Sequence, residues 1–332
     1  MEITKFYRGN DILKYIEYLF TLLNNKVIMK KIYFVAGILI LLLLFRSVYS
    51  NFNEVNLYLR NINYLYLILS IFSSIIFLVY QCFIWNIVLR KLKVSINGLK
   101  LLNIYAISIM ARYLPGGMWN IVSRAHLLKL EGISTKIAGL SLIYEIIFLL
   151  FSGILFAFLV VIQFQLLPIG WALFFLIIIL TILLKFSFIT SLVKKVALKK
   201  MSFNNFGNNI TLKDTLILIV NYLVVWVLSG IGIYFLVMSF LGVHVSFLLL
   251  ASIFSFSWIV GFLSPIPGGL GVRETSLAML LAYVLDSPDA YAISLIMRLV
   301  STISEILLFC IVKCLIFFRN YKSNYGENMP EN

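Results

Sequence analysis

Charge is what this chain has least of: only 12% of its 332 residues are Asp, Glu, Lys or Arg, histidine occurs twice and cysteine three times. His126 and His244 form no Cys–His cluster with Cys82, Cys310 and Cys314, so no metal site is expected. An odd number of thiols, set in or beside apolar runs, reads as packing and not as a disulfide framework. A Walker-type phosphate loop, a Gly-x-Ser-x-Gly elbow, an H-E-x-x-H pair and a clustered acidic dyad are all missing. Those gaps argue against an enzyme and against a resident cofactor. Alternating polar and apolar residues, the mark of a membrane β-barrel, are also missing. So is an N-terminal signal with a cleavage site, and the first apolar run, after Lys26, Lys30 and Lys31, reads as a retained span.

What is abundant is apolar. The chain is 62% hydrophobic with a mean hydropathy of +1.03, more than a soluble domain can bury, which indicates a polytopic helical membrane protein. The net charge of +14 does not indicate nucleic acid, because cytoplasmic loops of membrane proteins collect Lys and Arg. Most aromatics, including Trp119, Trp171, Trp226 and Trp258, read as interfacial belt or packing. His126 reads as a loop residue and Asp286-Ser287-Pro288-Asp289 as a turn capping the following helix.

Two stretches interrupt the apolar runs. In Ser264-Pro265-Ile266-Pro267-Gly268-Gly269-Leu270-Gly271-Val272-Arg273-Glu274, two prolines and three glycines break a helix, and an ion pair in the making follows at once. Upstream, Arg112-Tyr113-Leu114-Pro115-Gly116-Gly117-Met118-Trp119 leads to Arg124 on a similar plan, with a different spacing from the glycines to the arginine. Broken hydrophobic segments in corresponding halves point to a transporter-like site, because backbone groups freed at membrane depth must face protein or a water-filled cavity.

Charges set the expected sidedness. Residues 1–31 are expected to be a cytoplasmic or interfacial segment, and crossings are expected near 32–49, 62–88, 137–163, 169–188, 216–241 and 290–318. Hairpins are expected near 101–123 and 247–285. The first membrane half is then 32–189, residues 190–213 are a basic cytoplasmic linker, 214–318 are the second half and 319–332 a cytoplasmic tail. On this map 22 of the 27 basic residues are cytoplasmic, which argues for both termini inside. The first hairpin has basic flanks and the second is flanked by Asp286 and Asp289, so they enter from opposite faces. The expected fold is an all-α polytopic integral membrane protein with about six transmembrane helices and two re-entrant helical hairpins in an inverted repeat.

The candidate substrate-binding residues are those at or near the breaks, Arg112, Pro115, Gly116, Gly117, Arg124, Pro267, Gly268, Gly269, Arg273 and Glu274, together with Glu145, Arg298 and Glu305. Helix N-termini after each break favour an anion, and guanidinium matches phosphate geometry. The same arginines could instead pair with Glu145, Glu274 or Glu305 and knit the hairpins together. Arg298 and Glu305 stand seven apart and share a helix face, and Glu145 and Glu305 read either as proton sites or as structural ion pairs.

At Leu114-Pro115-Gly116-Gly117 with Arg124, at Tyr144-Glu145, and above all at residues 265–274, the chain resembles the lysylphosphatidylglycerol synthase transmembrane-region family, also called flippase-like, over residues 30–320. The resemblance implies a plasma (inner) membrane domain that moves a lipid with an anionic or modified headgroup (a phospholipid, a polyprenyl-phosphate or a glycolipid) between leaflets during envelope biogenesis. In multidomain relatives it is fused to a cytosolic aminoacyl-transferase domain, which this sequence is expected to lack. The alternatives are a non-catalytic scaffold for an envelope-synthesis enzyme and, third, a membrane-embedded lipid-modifying transferase working with Arg, Glu and a lipid phosphate.

Overall fold

A computed structural model describes residues 62–113, 119–165, 168, 170, 177, 181, 211–264, 269 and 271–326. The expected N-terminal segment, the crossing near 32–49 and most of the crossing near 169–188 and of the basic linker lie outside these residues. The described residues form eight α-helices and no strand. They are α1 (Tyr64–Lys91), α2 (Gly98–Met110), α3 (Trp119–Leu130), α4 (Thr135–Gln163), α5 (Leu212–Phe240), α6 (Phe247–Leu263), α7 (Val272–Leu281) and α8 (Ser287–Gly326). A 3₁₀ turn at Ala111–Tyr113 extends α2.

Four of these helices (α1, α4, α5 and α8) are long and apolar enough to cross a membrane. At 1.5 Å per residue the 28 residues of α1 reach about 42 Å, whereas the 13 of α2 reach only about 20 Å. α3, α6 and α7, with 12, 17 and 10 residues, are also short of a full crossing. The short helices pack in sequential pairs, α2 with α3 and α6 with α7.

Capping residues explain where the long helices start. Asn63 Oδ1 accepts from the Leu65 N–H at 3.1 Å ahead of α1, and Ser134 Oγ accepts from the Ile137 N–H ahead of α4. At α5, Thr211 and Asp214 exchange side-chain and backbone hydrogen bonds, both of 3.2 Å, in a capping box. Arg90 and Lys91 close α1, where positive charge complements the helix dipole.

α1 and α5 run antiparallel along their whole length. The Asn63 N–H donates to the Ser239 carbonyl at one end, and Lys91 pairs with Asp214 at 2.6 Å at the other. Between them Ser70 and Ser73 donate to the carbonyls of Gly232 and Leu228. Small residues and hydroxyls are what bring helices together in lipid, where apolar side chains gain nothing by leaving the solvent. The outer stripe of α1 is instead Leu65, Ile68, Phe72, Ile76, Val79 and Phe83, all exposed, as expected where the solvent is hydrocarbon.

Ion pairs and ring contacts locate the ends of the short pairs. Lys100, near the start of α2, meets Glu131, just beyond α3, at 2.9 Å, so the two ends of the α2–α3 pair lie together. Lys313 of α8 donates to Asn103 of α2 beside them. At the opposite end of the bundle, Phe164 at the end of α4 stacks on Tyr283 just after α7, with centroids 4.7 Å apart. His126 is an exposed residue of α3 and not a loop residue, because the helix after the first break runs on to Leu130. The helical part of the C-terminus likewise continues past residue 318, to Gly326.

Candidate functional site

A cavity of about 480 Å³ opens where the two broken segments meet. It is bounded by α1, α2, α3, α4, α5, α6 and α8, with Gly269 and Arg273 contributed by the second broken segment. Its walls bring together Arg112, Arg124, Arg273, Arg298, Glu145 and Glu305, six of the charged residues singled out from the sequence. Glu274 reaches the same cluster through Arg298. Pro115, Gly116, Gly117, Pro267 and Gly268 lie outside the described residues.

The arginines divide into two chemical situations. Arg124, on the buried face of α3, donates through Nη1 to Glu145 of α4 at 2.5 Å and through Nε to Ser108 of α2 at 3.3 Å. Its guanidinium also lies over the rings of Trp85 and Tyr105, 4.8 and 4.6 Å from their centroids. Trp85 is fixed in turn by its indole N–H on Ser141, and Tyr105 by its hydroxyl on Gln81. Arg112, in the 3₁₀ turn, donates to Glu305 Oε1 at 2.8 Å, while the Tyr113 hydroxyl donates to Glu305 Oε2 at 2.8 Å. Each of these guanidinia therefore has a hydrogen-bonded carboxylate, as a charge removed from water requires.

Across the cavity the pairing is looser. Arg298 Nε stands 3.6 Å from Glu274 Oε1, beyond hydrogen-bond reach, and is buried without a hydrogen-bond partner. The other oxygen of Glu274 is held at 2.7 Å by the Gly271 N–H at the start of α7. Arg273 forms no ion pair among the described residues. Its guanidinium lies 4.6 Å over the Phe254 ring, and its backbone carbonyl accepts from Ser257 at 2.6 Å and from Ser276 at 3.1 Å.

Close backbone approach places Arg273. Gly269 has φ +64°, and a Cβ there would sit 2.7 Å from the carbonyl oxygen of Gly261. A Cβ on Gly261 would sit 3.0 Å from Arg273 Cβ. The chain after the break thus folds directly onto α6, and only glycine leaves room for it.

Arg298 and Glu305, on one face of α8 as their spacing indicates, bind different partners: Glu274 of α7 and Arg112 of the first break. Sequence reading missed Trp85, Tyr105, Tyr113, Phe254, Ser257 and Gly261. Tyr113 was adjacent to a motif arginine, and Gly261 was a lone glycine in an apolar helix, a signal of close backbone approach. The aromatic residues gave no local signal, since aromatics are common throughout this chain. Among the described residues no cluster of His, Cys, Asp and Glu could hold a metal ion.

The sequence model described as "Lysylphosphatidylglycerol synthase TM region" matches residues 32–308, most of the chain. No curated protein and no solved structure matches it.

Proposed function

We propose that this chain, which belongs to the lysylphosphatidylglycerol synthase transmembrane-region family, is a transporter that moves a lipid with an anionic headgroup between the leaflets of the plasma membrane. Membership ties it to lipid-related envelope biology; the transport step is the reading drawn from the site. The observation that carries it is Arg273, a guanidinium on the wall of the cavity without a carboxylate partner among the described residues. Ionisable groups at membrane depth cost several kcal/mol unless they serve a functional interior, and a guanidinium is suited to phosphate oxygens.

On this reading α2–α3 and α6–α7 are re-entrant hairpins entering from opposite faces. The pair Lys100–Glu131 at one end of the bundle and the Phe164–Tyr283 stack at the other support that arrangement. With Arg90 and Lys91 facing the cytoplasm, both termini lie inside. The headgroup enters the cavity while the acyl or prenyl chains stay in lipid. Arg273, with Arg298 beside it, engages the phosphate; Arg112 and Arg124 hold the first hairpin through their glutamates.

The test is leaflet exchange of fluorescent anionic phospholipid and of a polyprenyl-phosphate analogue in proteoliposomes. Exchange that depends on protein and that Arg273→Ala loses, with its melting temperature within about 3 °C of the parent, supports transport. Absence of exchange for both lipids by folded protein removes the transport reading.

A further inference from the structure

The ionisable side chains around the cavity nearly cancel. Arg112 is matched by Glu305 and Arg124 by Glu145, each through a hydrogen-bonded pair. Arg298 and Glu274 face each other at 3.6 Å. The charge that remains among the described residues is Arg273, which lies over a ring and meets no carboxylate among them. The stretches at the two breaks that lie outside the described residues, Leu114 to Met118, Pro265 to Gly268, and Leu270, contain no ionisable side chain. Among the described residues four guanidinia therefore face three carboxylates, an excess of one positive charge. It sits on the wall formed by α6, α7 and α8.

We propose that the site is matched to a headgroup carrying a single negative charge, a phosphodiester in preference to a phosphomonoester or a diphosphate. The proposal takes from the function above the placing of a lipid headgroup in this cavity. A phosphodiester neutralises the excess and leaves each existing ion pair intact. A phosphomonoester carries about −1.5 to −2 at neutral pH, its second pKa being about 6. Its second charge would be left without a partner guanidinium among the described residues, or would draw Arg112 or Arg124 away from a glutamate and strand that carboxylate. Net charge here discriminates between headgroups that present the same phosphate oxygens to Arg273.

Two short-chain probes isolate that variable. Dihexanoyl phosphatidylmethanol and dihexanoyl phosphatidic acid differ by one methyl group and, at about pH 8, by one charge. Calorimetric titration into the full-length protein in neutral detergent is expected to show phosphatidylmethanol binding at least about tenfold more tightly at that pH. At about pH 5.5 phosphatidic acid regains its proton and the gap is expected to close. Phosphatidylmethanol, which keeps one charge throughout, reports any titration of Glu145, Glu274 and Glu305 over the same range. Glu274→Gln adds one net positive charge and is expected to shift the ratio at least about tenfold toward phosphatidic acid.

Equal affinities at pH 8 in the unmodified protein would overturn the proposal, as would an unchanged ratio in folded Glu274→Gln. Charge-selective binding without leaflet exchange removes the transport reading and keeps the charge match. Equal exchange and equal binding of both lipids do the reverse.

Discussion

Arg124 and Arg273 each follow a break in an apolar segment, yet they occupy opposite chemical situations. Arg124 is enclosed by Glu145, Ser108 and two aromatic faces, and Glu145 is buried as well. Removing one member of such a pair leaves the other as a buried uncompensated charge, at a cost of about 3–5 kcal/mol. Arg124→Gln is therefore expected to lower the unfolding temperature in detergent severely, and Arg124→Gln with Glu145→Gln to recover part of the loss. Arg273 leaves no carboxylate stranded, so Arg273→Ala is expected to cost far less stability than Arg124→Gln. A thermal unfolding series of the four proteins checks the contrast. The charged residues of the cavity were legible in the sequence because ionisable groups inside apolar runs are conspicuous. Their partners were not: Arg112 meets a glutamate 193 positions away, and helical spacing carries no information about contacts between helices so distant in sequence.

For the long helices, hydropathy sufficed to place the spans, whereas the capping residues of α1, α4 and α5 emerged only from the structure. The crossings expected near 62–88, 137–163, 216–241 and 290–318 correspond to α1, α4, α5 and α8, and Asn63, Ser134 and Thr211 stand at the starts of the first three. The consequences of individual glycines needed three dimensions. Gly230 lies where a Cβ would be 2.4 Å from the Phe247 carbonyl oxygen, and Gly261 where it would press on Arg273. Gly139, inside α4, has no neighbour within 4 Å of the same construction. Gly139→Ala is accordingly expected to stabilise the protein by about 0.5–1 kcal/mol through helix propensity alone. Gly261→Ala is expected to displace Arg273 and reduce lipid exchange about tenfold, with a melting temperature only about 2–4 °C lower. A positional effect is separated from a general loosening by labelling Arg273→Cys with a cationic thiol reagent. The rate should fall when Gly261→Ala is added; an unchanged rate would show that Gly261 does not seat this residue.

At the scale of the whole molecule, the two broken segments approach one cavity from opposite ends of the bundle, but with unequal chemistry. The first supplies arginines that are already neutralised; the second supplies Arg273, which has no carboxylate partner among the described residues. The basic and acidic flanks give an expectation of opposed orientation, whereas nothing in the sequence hints at this inequality, since both segments share the plan Pro-Gly-Gly followed by arginine. Sidedness has a direct check in a cysteine-free background. Ser123→Cys is expected to react with impermeant thiol reagent from the cytoplasmic face and Ser287→Cys from the external face. Labelling of Ser123→Cys from outside alone would end the inverted arrangement.

The seam between α1 and α5 has a consequence for how the protein is made. Ser70 bonds to the carbonyl of Gly232, 162 residues later in the chain. At about 5–20 residues per second, synthesis leaves α1 waiting roughly 8–30 s for that partner. During that wait the serine face of α1, which later lines a helix seam, has lipid or the insertion machinery for a neighbour. Ser74 already has a bond within its own helix, to the Ser70 carbonyl, so part of that face is satisfied from the moment the helix forms. The frame around the cavity is therefore completed late in synthesis, by a helix that must find a partner inserted long before it.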